Sequence, residues 1–169
     1  MSTIIYITGG QRSGKSQFAE KLAKELSPVP VYLATAKHWD EDFTKRIQRH
    51  QRTRGNDWIT IEEEKHLDSL HLEGKVVLLD CITLWLTNIF HDTGYQLDTA
   101  LEQAQAIWAT FSKQNFTLIV VSNELGMGMH ATDASARRFA DLQGWMNQYI
   151  AAQSHQAYLM VSGIPLQLK

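Results

Sequence analysis

The sequence predicts an α/β fold in which a mostly parallel sheet is flanked by helices within a single domain. Three observations predict it. Short apolar runs alternate with amphipathic helical patterns along the chain, an order that crossover connections turn into a parallel sheet. Two of the runs, Val76-Val77-Leu78-Leu79 and Leu118-Ile119-Val120-Val121, are continuously apolar, as strands buried on both faces are. The first run, Ile4-Ile5-Tyr6-Ile7, leads straight into Thr8-Gly9-Gly10-Gln11-Arg12-Ser13-Gly14-Lys15-Ser16. That stretch fits G-x-x-x-x-G-K-[ST] between a strand and a helix, so the predicted class is a P-loop NTPase (RecA-like).

Residues 3–8 form the first strand. Phe18, Leu22 and Leu26 share one face of a helix over residues 15–26, and Ser27-Pro28 stops it. Residues 29–34 read as a second strand, with Pro30 near its start, where proline is tolerated. A cation-rich helix covers residues 45–54, with Asp40 as a candidate N-cap. Gly55-Asn56-Asp57 turns into a strand over residues 58–63. Residues 64–72 read as a short helix with Leu67 and Leu70 inward. Residues 75–80 form a buried strand ending in a carboxylate, and residues 82–89 are helical or irregular. A helix over residues 97–113 carries Leu101, Ala104, Ile107, Trp108 and Phe111. Residues 116–121 form another buried strand, followed by a loop at residues 125–129 and a long helix at 134–152. Residues 157–161 are the last main strand. Ser162-Gly163-Ile164-Pro165 then turns into a tail or an edge strand.

The chain has 169 residues, 44% hydrophobic and 20% charged, which suits one globular domain over residues 1–169. Its formal net charge of −2 gives no overall basic excess for a nucleic-acid partner. Cys81 is the only cysteine, which excludes an intrachain disulfide and a multi-cysteine metal site. No run approaches the roughly 18–20 apolar residues of a membrane span, and no signal-type segment is visible. The expected location is cytoplasmic.

Each part of the glycine stretch has a job. Glycines let the backbone turn with its N–H groups converging on an anion. The helix that starts near Gly14 adds its positive end. Lys15 reaches the β- and γ-phosphates, and the Ser16 hydroxyl is placed to hold Mg²⁺. The chain is therefore expected to bind a nucleoside triphosphate. Asp80, at the carboxyl end of a buried strand, is where such a fold places the acid that shares the metal with Ser16. Glu124 follows a different buried strand. It is either a group that orients a nucleophile or a solvated loop acid.

Arg46, His50 and Arg54 recur every four residues, so they share one helix face, flanked by Lys45, Arg49 and Arg52. A solvated basic helix is one reading of that run. The other is chemical. Arginines suit bidentate phosphate contact, and like charges keep a neighbouring imidazole neutral. A neutral imidazole beside a bound triphosphate can attack phosphorus. The other histidines, 38, 66, 71, 91, 130 and 155, have no comparable setting.

With these residues in place, the chain resembles the bifunctional adenosylcobinamide kinase/adenosylcobinamide-phosphate guanylyltransferases of cobalamin biosynthesis. The resemblance rests on the glycine stretch, Tyr32-Leu33-Ala34-Thr35-Ala36, and the spacing of Arg46, His50, Arg54, Trp58 and Glu62. It continues through Leu79-Asp80-Cys81-Ile82-Thr83 with Thr87-Asn88, Val121-Ser122-Asn123-Glu124-Leu125-Gly126-Met127-Gly128, and Val161-Ser162-Gly163-Ile164. It implies phosphorylation of adenosylcobinamide with ATP or GTP. It also implies transfer of GMP from GTP to the resulting phosphate through a guanylylated histidine, with His50 at the nucleophile's position. Implied nucleotide contacts are Gly9, Gly10, Gln11, Arg12, Ser13, Gly14, Lys15, Ser16, Ala34, Thr35, Ala36, Gln51, Arg52, Thr53, Arg54 and Glu62, with Asp80 near the phosphates or metal. A homo-oligomer is implied too. Asp80 stands where some relatives have Glu, and Arg49 where some have His. Two rival readings are a monofunctional small-molecule kinase whose basic helix is a phosphate-binding lid, and a non-enzymatic nucleotide switch.

Overall fold

Period-two alternation divides the strand residues between two cores, one on each face of the sheet. In the computed structural model, which describes residues 2–37 and 57–169, the strands are β1 (Thr3–Gly9), β2 (Val31–Ala34), β3 (Ile59–Glu62), β4 (Val76–Asp80), β5 (Thr117–Asn123), β6 (Gln156–Val161) and β7 (Ile164–Gln167). The helices are α1 (Lys15–Leu26), α2 (Ile82–Asp92), α3 (Leu97–Phe111) and α4 (Ala134–Gln153). Ile4, Tyr6, Val77, Leu79, Leu118 and Val120 face a core with Trp85, Trp108, Phe111 and Met146 from α2, α3 and α4. Ile5, Ile7, Leu78, Ile119 and Val121 face the other, with Ala19 and Ala23 of α1.

The seven strands lie in the order β3-β2-β4-β5-β1-β6-β7. All neighbouring pairs are parallel except β6 and β7. The chain leaves β1 through α1 toward β2, and leaves β5 through α4 toward β6. These connections run to opposite sides, so a crevice opens at the carboxyl ends of β1 and β5, where ligands of open α/β sheets sit. Register fixes what meets there. Gly9 pairs with Asn123, and Asp80 pairs with Val121 on one side and Ala34 on the other.

The helix expected over residues 64–72 is a single 3-10 turn, Leu67–Ser69. Glu63 Oε1 accepts from the N–H groups of Lys65 and His66, and this local bonding replaces a helical ladder. Residues 82–89 resolve as helix α2. In α1 the sheet-facing residues are Lys15, Ala19 and Ala23, small side chains apart from the lysine. Phe18 and Leu22 pack at the margin, and Leu26 is exposed. The tail is the antiparallel edge strand β7, where Pro165 is tolerated. Among the described residues no helix is long and apolar enough to cross a membrane.

Candidate active site

The loop between β1 and α1 is built from backbone that ordinary residues avoid. Gly9 has φ +153°, Arg12 +55° and Gly14 +94°. A Cβ on Gly9 would lie 2.6 Å from Met160 O and 2.8 Å from Ser13 Oγ, so only glycine lets the loop close there. Gly14 caps α1 with no side-chain hydrogen bond, which leaves the first-turn N–H groups without that partner. Arg12, Ser13, Gly14, Lys15, Ser16 and Gln17 line a hollow of about 270 Å³.

Lys15 begins α1 and is buried. Its Nζ donates to Gly10 O at 2.6 Å, folding the ammonium back across the loop. Burial pushes its pKa below the ordinary lysine value, and the charge of Asp80 opposes that shift. Asp80 is thus within electrostatic reach of Lys15, although β5 lies between β4 and β1, the strand that leads into the lysine's loop. Three adjacent strands span only about 10 Å.

Asp80 is held from β2. Tyr32 Oη donates to Asp80 Oδ2 at 2.8 Å. In the β2–β4 register Tyr32 faces Leu78, so Tyr32 and Asp80 form a diagonal pair that a long side chain can bridge. Trp58 packs edge-on against Tyr32, with ring centroids 6.0 Å apart. Beyond Asp80 the chain is tied to β2. Thr35 Oγ1 donates to Cys81 O and accepts from Cys81 N–H, while Asn88 Nδ2 donates to Thr35 O and Glu64 O. The Cys81 thiol is buried and its pKa is pushed up to about 12, chiefly by desolvation, which makes it inert as a nucleophile.

The β5 end has its own support. Ser122 Oγ donates to Asn147 Oδ1 at 2.6 Å, Gln143 Nε2 donates to both, and Asn147 Nδ2 donates to Asn123 O. Tyr6 is buried beside this cluster and its pKa is raised to about 12 by desolvation. Glu124 N–H donates to Gly9 O at 3.0 Å, and its Oε1 accepts from Gly126 N–H at 2.7 Å.

Glycine loop, Asp80 and Glu124 meet at the crevice. Ala34 and Glu62 continue the same row of strand ends, since Glu62 pairs with Ala34 and Ala34 with Asp80. The Thr35 side chain turns inward to the ties just described. Arg46, His50, Gln51, Arg52, Thr53 and Arg54 lie outside the described residues. Sequence reasoning missed Tyr32, Gln143 and Asn147 as supporting residues. A signal existed for the last two, because Gln143 and Asn147 are polar at helical i, i+4 spacing beside buried Leu142, Met146 and Ile150. His155 has a structural task, with Nδ1 accepting from Ile4 N–H.

The residues present fit a phosphate chain. Left-handed backbone at Arg12 and Gly14 and an uncapped helix start suit an anion. The buried Ser13 Oγ has no hydrogen-bond partner among the described residues. They also fit Mg²⁺ shared with phosphate oxygens, which needs only one or two protein oxygens; Asp80 carries the hydrogen-bonded support usual for such a carboxylate. Among the described residues no group of three His, Cys, Asp or Glu side chains clusters as a metal cage.

A parallel sheet, a glycine loop opening a helix, and a carboxylate two strands away are consistent with the P-loop class of α/β proteins. A family model described as cobinamide kinase / cobinamide phosphate guanyltransferase matches residues 5–168. The chain is 38% identical over 181 residues to the bifunctional adenosylcobalamin biosynthesis protein CobU of Escherichia coli strain K12, covering 98% of this chain and 99% of that one. It is 38% identical over 168 residues to the bifunctional adenosylcobalamin biosynthesis protein CobP of Pseudomonas aeruginosa, covering 96% and 95%. To the CobU protein of Salmonella typhimurium it is 35% identical, covering 98% and 99%. The chain belongs to the cobinamide kinase / cobinamide phosphate guanyltransferase family.

Proposed function

We propose that this chain is a bifunctional enzyme of cobalamin nucleotide-loop assembly. It phosphorylates adenosylcobinamide with ATP or GTP. It then transfers GMP from GTP to adenosylcobinamide phosphate, giving adenosylcobinamide-GDP and pyrophosphate. The observation that carries this reading is the family match over residues 5–168, joined to a glycine loop whose lysine is folded across it at the sheet crevice. The monofunctional kinase reading is not favoured, because the relatives at 35–38% identity are named bifunctional. The whole chain, 1–169, is a single P-loop nucleotide-binding domain on this reading, cytoplasmic and homo-oligomeric, with no nucleic-acid partner.

In the kinase reaction the backbone of Gly9 to Ser16 holds the β- and γ-phosphates and Lys15 neutralises charge that builds on them. Such a transfer needs positioning and electrostatics more than covalent chemistry. Mg²⁺, held by Ser16 and Asp80, supplies further charge neutralisation when bound. Glu124, hydrogen-bonded at the loop's edge, is suited to orient the acceptor hydroxyl.

In the guanylyl reaction His50 attacks the α-phosphorus of GTP. The bond to the β-phosphate oxygen breaks and pyrophosphate leaves, stabilised by Lys15. Arg46 or Arg54 neutralises the α-phosphate oxygens. The phosphate of the cobinamide substrate then attacks the same phosphorus and His50 departs as the free imidazole. Nucleotide contacts at Ala34, Thr35, Ala36, Gln51, Arg52, Thr53 and Glu62 complete the site.

The test is product analysis in two stages. ATP with adenosylcobinamide is expected to yield the phosphate, and added GTP the GDP derivative with one pyrophosphate each. His50→Ala is expected to stop at the phosphate. Equal loss of both steps in folded His50→Ala protein contradicts the assignment of His50.

A further inference from the structure

The turn between β6 and β7 bears directly on the glycine loop. Val161 pairs with Ile164, so the hairpin has two central residues, Ser162 at φ +52° and Gly163 at φ +82°. Two positive φ values are those of a type I′ turn. Gly163 N–H donates to Ser13 O at 2.9 Å. A Cβ placed on Gly14 would lie 3.0 Å from Gly163 Cα, and one on Gly9 would lie 2.6 Å from Met160 O. β6 and its turn thus touch both ends of the loop. No step of the reactions above uses them.

The contact has a consequence for the loop's N–H groups. Ser13 C=O and Gly14 N–H belong to one peptide unit, and in a planar trans peptide the two point in opposite directions. Anchoring Ser13 O on the hairpin turns Gly14 N–H the other way, toward the hollow that Arg12 to Gln17 line. An unanchored peptide could flip and present the carbonyl to an incoming anion.

We propose that the Ser162-Gly163 turn presets the glycine loop for phosphate recognition, with Gly163 as a positioning residue that itself touches no substrate. The inference rests on the reading that this loop holds the triphosphate. Gly163 has open space where a Cβ would go, with nothing within 4 Å. A substitution there therefore acts through φ alone. Valine disfavours the left-handed region, whereas asparagine tolerates it.

The experiment measures binding of GTP and of inorganic tripolyphosphate by calorimetry in wild type, Gly163→Val and Gly163→Asn, with the half-saturating adenosylcobinamide concentration measured alongside. Gly163→Val is expected to weaken both anions by the same factor, about tenfold. Gly163→Asn is expected to stay within about twofold of wild type, and adenosylcobinamide half-saturation to hold in all three. Gly163→Val that binds tripolyphosphate as wild type does overturns the proposal. So does a loss confined to GTP, which would mean that the turn touches the nucleoside instead. Wild type that binds neither anion overturns the phosphate reading and this inference with it. Hydrogen exchange at the Gly163 amide of wild type needs no variant to fold. Protection that deepens on adding tripolyphosphate supports the anchor, and exchange at the rate of a free amide overturns it.

Discussion

Tyr32 Oη donates to Asp80 Oδ2 at 2.8 Å, joining two neighbouring strands at the end where the candidate metal site lies. The bond fixes one carboxylate oxygen without adding charge. Tyr32→Phe keeps the ring and its packing against Trp58 and removes only the donor. A hydrogen bond to a charged group contributes about 1.5–3 kcal/mol. We expect the Mg²⁺ concentration that half-saturates phosphoryl transfer to rise about tenfold in Tyr32→Phe, with the thermal midpoint lowered by a few degrees. A Mg²⁺ titration identical to wild type would count against Asp80 as a metal ligand positioned by Tyr32.

Lys15 gives a pH prediction of definite sign. Burial lowers its pKa in the folded protein, so between that lowered value and the ordinary lysine value the unfolded chain binds more protons than the folded one. Stability of the unliganded protein should therefore rise with pH through that window. Affinity should run the other way, because the triphosphate needs the charged ammonium. GTP affinity is expected to fall as pH rises through the lowered pKa in wild type, and to lack that fall in Lys15→Met. Parallel profiles from neutral to alkaline pH would contradict the role of Lys15.

Gly14 tolerates no side chain. Alanine there would sit at φ +94° and 3.0 Å from Gly163 Cα. Gly14→Ala should cost at least about 1–2 kcal/mol of stability and weaken ATP and GTP together. A variant that binds one nucleotide normally would be at odds with one shared phosphate site.

The Ser122–Gln143–Asn147 cluster predicts a purely structural effect. Asn147→Ala removes the acceptor for the buried Ser122 hydroxyl and the donor to the half-buried Asn123 O, leaving Ser122 Oγ only its bond from Gln143, at about 1–3 kcal/mol. The urea midpoint should fall while the slope of the transition stays the same. Unchanged stability would mean that the β5 end is held by other contacts.

What was legible in the sequence followed how local each feature is. Gly9 to Ser16 is a contiguous pattern, and strand, loop and helix appear where it predicts them. Asp80 was visible because a strand end and a carboxylate coincide in six residues. Tyr32 was not, since its partner depends on the β2–β4 register, which no local pattern encodes. The same holds for Gly163, whose contact with Ser13 spans the chain. The helix expected over residues 64–72 failed for a local reason, the capture of two N–H groups by Glu63. The face of Arg46, His50 and Arg54 lies outside the described residues, so its role rests on sequence spacing and family resemblance.

The central claim is that one triphosphate site works at two phosphorus atoms, γ in the kinase step and α in the guanylyl step, with His50 carrying GMP from GTP to adenosylcobinamide phosphate. Label transfer from GTP to the protein tests it most directly. Incubated with GTP labelled at the α-phosphate, the wild-type protein should acquire acid-labile, alkali-stable label, and His50→Ala should acquire none. GTP labelled at the γ-phosphate should leave the wild type unlabelled. Absence of α-label from wild-type protein that nevertheless makes adenosylcobinamide-GDP would contradict the covalent histidine and leave direct transfer in its place.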